Sequence, residues 1–196
     1  MRYKILFLLI AVIFLIIPLN LRAEEPPLVI EGPEILIIKD STIGVNFNLN
    51  LSPQYREAIK KGLTKEFNIY IDLFRHWNVW PDEFIKGKKY VRTFSIDPIK
   101  KEFIGGSFDG KVYLYKRFKG PESLIDWFLR FDNAYETTLE GLEPGRYYIK
   151  ITVESKKSGL SSLISNILII LPVHEVKVEK NSPFLLWDGK TLKVER

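Results

Sequence analysis

The chain has 196 residues, with 29 Lys or Arg against 24 Asp or Glu and no cysteine. Disulfides, thiolate metal centres and cysteine nucleophiles are therefore excluded. The formal net charge is +5, but Arg2, Lys4 and Arg22 stand among the first 23 residues without any acid, which leaves +2 on residues 24–196 and argues against nucleic acid as a partner.

Arg2 and Lys4 precede an uninterrupted apolar run from Ile5 to Ile17, which Pro18 breaks before Ala23. The run is shorter than the roughly 20 residues that cross a bilayer, so residues 1–23 read as an export signal. Leu21 stands where a small residue is preferred for cleavage after Ala23, which leaves an uncleaved anchor over residues 5–19 as the alternative. Either form predicts that residues 24–196 work as a single domain outside the cytoplasm.

Beyond the leader the pattern is mainly that of strands. Ile35 to Ile38 is a short apolar run, and Val45, Phe47, Leu49 and Leu51 alternate with Asn46, Asn48 and Asn50. Such alternation puts the apolar set on one sheet face. Ser52 and Pro53 then have the order of a helix cap and first turn, with Tyr55, Ala58, Ile59 and Leu63 on one face and Gly62 as a stop. Phe67, Ile69, Ile71 and Leu73 predict a second alternating strand, and Asp109-Gly110 before Val112 to Tyr115 predicts a hairpin.

Pro121 opens a helical pattern through Leu124, Ile125, Trp127, Phe128 and Phe131, expected to end near Asp132-Asn133. Pro144-Gly145 leads into the strand Tyr147, Ile149, Ile151 and Val153, while residues 160–171 fit either a helix or a buried strand. These elements predict a mainly β protein, an immunoglobulin-like β-sandwich with two or three short helices. Leu142 to Tyr147 matches the turn-then-Tyr corner of such sandwiches.

Candidate sites are sparse. Gly105-Gly106 lacks the ending of a phosphate loop and reads as a bulge or bend. His76 and His174 have no metal-ligand spacing around them, so no metal or cofactor is expected. Asp72, Asp82 and Glu83 are the acids a glycosidase-like pair would draw on. The segment holding Arg75, His76, Trp77, Trp80 and Asp82 has two readings: an aromatic recognition surface, or indoles that cap the end of the core.

From Lys86 to Lys119 the local net charge is +7. Lys86, Lys88, Lys89, Arg92, Lys116, Arg117 and Lys119 would form a basic face for weak contact with anionic lipid if they shared one side of a sheet. Otherwise they protect strand edges and solvate outer positions.

The order FNLNLSP, REAIKKGLTKEFNIYIDLFRHWNVWPDE, KYVRTFSIDPIKKEF, PESLIDWF, LEPGRYYIKITV and WDGK, over roughly residues 43–188, resembles a bacterial exported family that is itself a domain of unknown function. The resemblance implies an envelope location and, because members are often encoded beside nitrogen-type sensor histidine kinases, partnership with such a kinase. It assigns no activity and no functional residue. Together these readings predict a non-enzymatic extracytoplasmic binding or adaptor module for a membrane or envelope protein, periplasmic or on the outer side of the cytoplasmic membrane. The alternative is a carbohydrate-active enzyme or carbohydrate-binding protein that uses Trp77, Trp80 and Asp82.

Overall fold

The computed structural model describes residues 26–61, 65–97, 99–100, 102–156 and 174–195. The leader, the expected helix stop at Gly62, Leu63 of its apolar face, and the segment 160–171 lie outside the described residues. In chain order the described elements are β1 (Leu28–Lys39), β2 (Thr42–Leu51), α1 (Pro53–Lys60), β3 (Lys65–His76), β4 (Glu83–Asp97), β5 (Glu102–Phe108) and β6 (Tyr113–Phe118). They continue with α2 (Pro121–Leu129), β7 (Arg130–Thr138), β8 (Gly145–Lys156), β9 (His174–Asn181), β10 (Leu185–Trp187) and β11 (Leu192–Val194).

The protein is mainly β, in two antiparallel sheets. A three-stranded sheet has the order β1-β2-β7, and an eight-stranded sheet runs β11-β10-β8-β3-β4-β5-β6, with β9 also on β8. The alternating positions read from the sequence supply the core. Phe67, Ile69, Ile71 and Leu73 of β3 are buried beside Ile149, Ile151 and Val153 of β8, and Val45, Phe47, Leu49 and Leu51 of β2 belong to the same cluster. Each such side chain, taken out of water, stabilises the fold by roughly 1.5–3 kcal/mol.

Both helices begin where expected. The Ser52 hydroxyl accepts from the Tyr55 N–H at 3.4 Å, and Pro53 fills the first turn of α1. Pro121 does the same for α2, which buries Leu124, Ile125, Phe128 and Leu129. The end of α2 differs from the expectation. The helix stops at Leu129, and Phe131 belongs to β7, where its ring stacks on Phe47 at 4.4 Å. Asp132-Asn133 accordingly marks a bulge in the β2–β7 ladder, not a helix end. Asn133 has φ 47°, and its N–H donates to Asn46 Oδ1 at 2.7 Å.

Gly105 and Gly106 also differ from the expectation, since they sit in β5 with unbroken register to both β4 and β6. Their reason is close packing. A Cβ on Gly105 would lie 2.5 Å from Trp127 Cζ3, and one on Gly106 would lie 2.5 Å from Thr93 Oγ1.

Candidate recognition site at the β3–β4 tip

Strands β3 and β4 pair as far as Arg75 opposite Glu83, so residues 77–82 form the tip between them. Asp82 folds this tip back onto β3. Its Oδ1 accepts from the Trp77 N–H at 3.1 Å and lies 3.0 Å from His76 Nδ1, while Oδ2 accepts from the Tyr148 hydroxyl at 2.8 Å. Partial burial pushes the Asp82 carboxyl upward, but the Trp77, Tyr148 and His76 bonds together outweigh it and hold the group below the usual carboxylate range. The same contact appears in Tyr148, whose hydroxyl is raised to about 12 by burial and by the Asp82 carboxylate beside it.

Tyr148 extends the support into the sheet. Its ring stacks on Phe74 at 5.6 Å and meets Phe184 edge-on at 5.9 Å. Arg75 anchors the other side: Nη1 donates to Glu143 Oε2 at 2.6 Å and Nη2 to the Pro144 carbonyl at 3.3 Å. The guanidinium lies 4.1 Å from the Trp77 ring centre, and the Trp77 indole N–H donates to Glu83 Oε2 at 3.4 Å. Trp77 is thus held between an arginine and an acid. Val79 and Trp80 project outward, 87% and 74% exposed, and Phe84 is exposed at the start of β4.

Arg75, His76, Trp77 and Asp82 therefore come together, whereas Trp80 stands at the apex. The reading in which both indoles cap the core end does not hold, because Trp80 faces solvent. Tyr148, Glu143 and Phe184 belong to the same cluster and were not visible in the sequence pattern. Tyr148 occupies the outward phase of a strand recognised by its inward residues, and the other two lie in connecting segments.

Of the three acids, Asp82 and Glu83 stand at the tip and Asp72 does not. Asp72 stands opposite Gly87 and Lys150, on the order of 15 Å along β3 from the tip, beyond the spacing of either glycosidase geometry. Asp82 is held ionised by three contacts, which suits a structural acceptor better than a proton donor. Among the described residues no group of three His, Asp or Glu is placed to hold a metal. Nor is any described helix long and apolar enough to cross a membrane.

The single basic face fails to form. Ladder positions put Lys86, Lys88 and Arg92 on the inward phase of β4, opposite Leu73, Ile71 and Phe67, while Lys89 is on the outward phase opposite Tyr70. Lys86 Nζ donates to the Thr138 carbonyl of β7, and Arg92 Nη1 donates to the carbonyls of Trp127, Phe128 and Arg130. On β6, Lys116 shares the phase of Phe118 and Arg117 takes the other, while Lys119 follows in the exposed connection to α2. Pleating divides the cations between two faces, so they cannot all meet one flat surface.

Residues 38–181 match a family described as a Domain of unknown function (DUF4390). The chain belongs to that family. The match spans β2 to β9, and so includes the tip and the strands β3, β4 and β8 around it. No curated protein and no solved structure matches the chain.

Proposed function

We propose that this member of the DUF4390 family is a non-enzymatic, extracytoplasmic binding module that docks an envelope protein through the β3–β4 tip. The observation that carries this reading is the exposure of Trp80 and Val79 on a hairpin end whose backbone is held by Asp82, Tyr148 and Arg75. A pre-organised aromatic apex loses little conformational entropy on binding, and Trp and Arg are both enriched at binding hot spots, with Arg75 held against Trp77 beside the exposed Trp80. Export is supported by the apolar run from Ile5 to Ile17 behind Arg2 and Lys4. The resemblance to a family encoded beside nitrogen-type sensor kinases makes the outer region of such a kinase the first partner to test.

An immunoglobulin-like sandwich is part of the proposal. Two features support it: the β1-β2-β7 sheet against a sheet containing β9-β8-β3-β4, and the Tyr147 hydroxyl, which donates to the Glu143 carbonyl at 2.6 Å just upstream. A sugar-binding apex is the second reading, because an exposed indole also stacks on a sugar ring.

A photo-crosslinking side chain at position 79, with recovery from membranes and mass spectrometry, tests the docking. Capture of one membrane protein is expected, with Trp80→Ala weakening the purified pair by roughly 30-fold, the effect of losing a hot-spot indole. Capture of no membrane protein, or equal affinity with Trp80→Ala, would end the docking reading. Trp80-dependent binding on a glycan array would replace it with the sugar reading.

A further inference from the structure

We propose that β6 is a docking edge for an extended acidic segment of a partner protein, which adds a strand to the eight-stranded sheet. This surface is separate from the β3–β4 tip and does not depend on the reading given to it. Strand β6 ends the sheet order, paired with β5 on one side only among the described residues. Alternate N–H and C=O groups of such an edge point away from the sheet and can pair with an incoming strand.

The side chains of β6 favour this use. Native edges are commonly made unattractive to neighbours by being short, by lysine, by proline or by inward-pointing charge, and in β6 the charges are confined to Lys116 and Arg117 of its second half. Here the edge presents Tyr113, Leu114 and Tyr115 to solvent, with Leu114 55% and Tyr115 69% exposed. Phe108, Tyr113 and Tyr115 form a continuous stack, with ring separations of 4.3 Å and 6.0 Å. An ordered aromatic ladder loses little side-chain freedom when a strand covers it.

Charge selects the occupant. Residues 110–121 carry Lys111, Lys116, Arg117 and Lys119, all exposed, and no acid. The nearby acids are already engaged. Asp109 accepts from the Lys111 and Val112 N–H groups and lies 3.7 Å from Lys88, and Glu102 forms a loose ion pair with Arg117 at 3.7 Å that leaves Lys111, Lys116 and Lys119 for an incoming strand. A second copy of this chain would align these cations along one seam, whereas a strand with carboxylates would neutralise them.

The pleat sets the pattern required of that strand. Apolar residues would lie opposite Tyr113, Leu114 and Tyr115, and adjacent carboxylates opposite Lys116 and Arg117, one on each face of the sheet.

The test uses the full chain and synthetic peptides about seven residues long, with a run of valines next to a pair of glutamates, in both chain directions. Lysine counterparts serve as controls. Amide hydrogen exchange should slow across residues 113–117 with a glutamate peptide. The lysine peptide should bind about tenfold more weakly, and a chain with Lys116→Glu and Arg117→Glu should reverse that preference. Both substitutions are at exposed positions, so the melting temperature should hold, and Trp80→Ala should leave peptide binding unchanged. Equal binding of the two peptides, binding of neither, protection confined to other strands, or self-association through β6 would overturn the proposal.

Discussion

Asp82 is the residue on which the tip geometry depends, since it joins the start of the turn, His76 and the neighbouring strand β8 through Tyr148. Asp82→Asn keeps an acceptor but loses the negative charge, so we expect it to destabilise the protein at neutral pH by about 1 kcal/mol. The folded state holds this carboxyl below its ordinary value. Its contribution is therefore complete above pH ~4 and disappears as pH falls through the folded-state value. Thermal melts of both proteins across that window should show the gap closing with acid. A gap that is constant with pH would show that charge is not the source.

At this scale the sequence pointed to residues that do meet in space, because Arg75, His76, Trp77 and Asp82 are neighbours along one hairpin. It could not show that Tyr148 completes the cluster, because that contact crosses from β8.

Among the elements, β4 and α2 depend on a residue first read as part of a basic surface. Arg92 crosses from the inward phase of β4 to the C-terminal end of α2. There its Nη1 meets three carbonyls at 2.7–2.9 Å, and its guanidinium lies 3.6 Å from the Phe131 ring centre. Burial lowers its pKa to about 10, so it stays cationic at neutral pH and complements the negative end of the helix. Arg92→Met keeps much of the stem but removes every donor, and should cost about 2–4 kcal/mol in urea unfolding. A loss below about 0.5 kcal/mol would show that the carbonyls find other donors at no cost.

The same residue explains why β4 is hard to see in the sequence. Lys86, Lys88 and Arg92 take inward positions that alternation reserves for apolar residues: Lys86 and Arg92 reach backbone carbonyls of β7 and α2, and Lys88 lies over the Tyr90 ring. The paired glycines of β5 misled in a related way: the space they leave belongs to Trp127 and Thr93, which are distant in sequence.

For the molecule as a whole, the core extends past both ends of the family match. Leu28 and Ile30 of β1 precede it, and Leu185, Trp187 and Leu192 follow it, all of them buried. Trp187 also donates its indole N–H to the Leu142 carbonyl at 3.0 Å, tying β10 to the turn before β8. Five buried side chains at roughly 2 kcal/mol each approach the whole stability of an ordinary domain. A fragment of residues 38–181 should therefore lack a cooperative melt by circular dichroism, while residues 26–196 retain one. A cooperative melt of the fragment at the parent temperature would show that β1, β10 and β11 are dispensable.

The strands at 45–51, 67–73 and 147–153 and the starts of both helices were readable from the sequence because they rest on local rules. A period of two buries one face, and Ser52-Pro53 and Pro121 each set a first helical turn from residues adjacent in sequence. What the tertiary structure alone decided is non-local: the order of strands in two sheets, the division of the cations between two faces, and the β-bulge in place of a helix end at Asn133. Only it brought Tyr148 onto Asp82 and left Trp80 in solvent. Each of these depends on which distant backbone or ring lies opposite a residue, and in half-buried strands that partner can be polar, so hydrophobic periodicity carries no record of it.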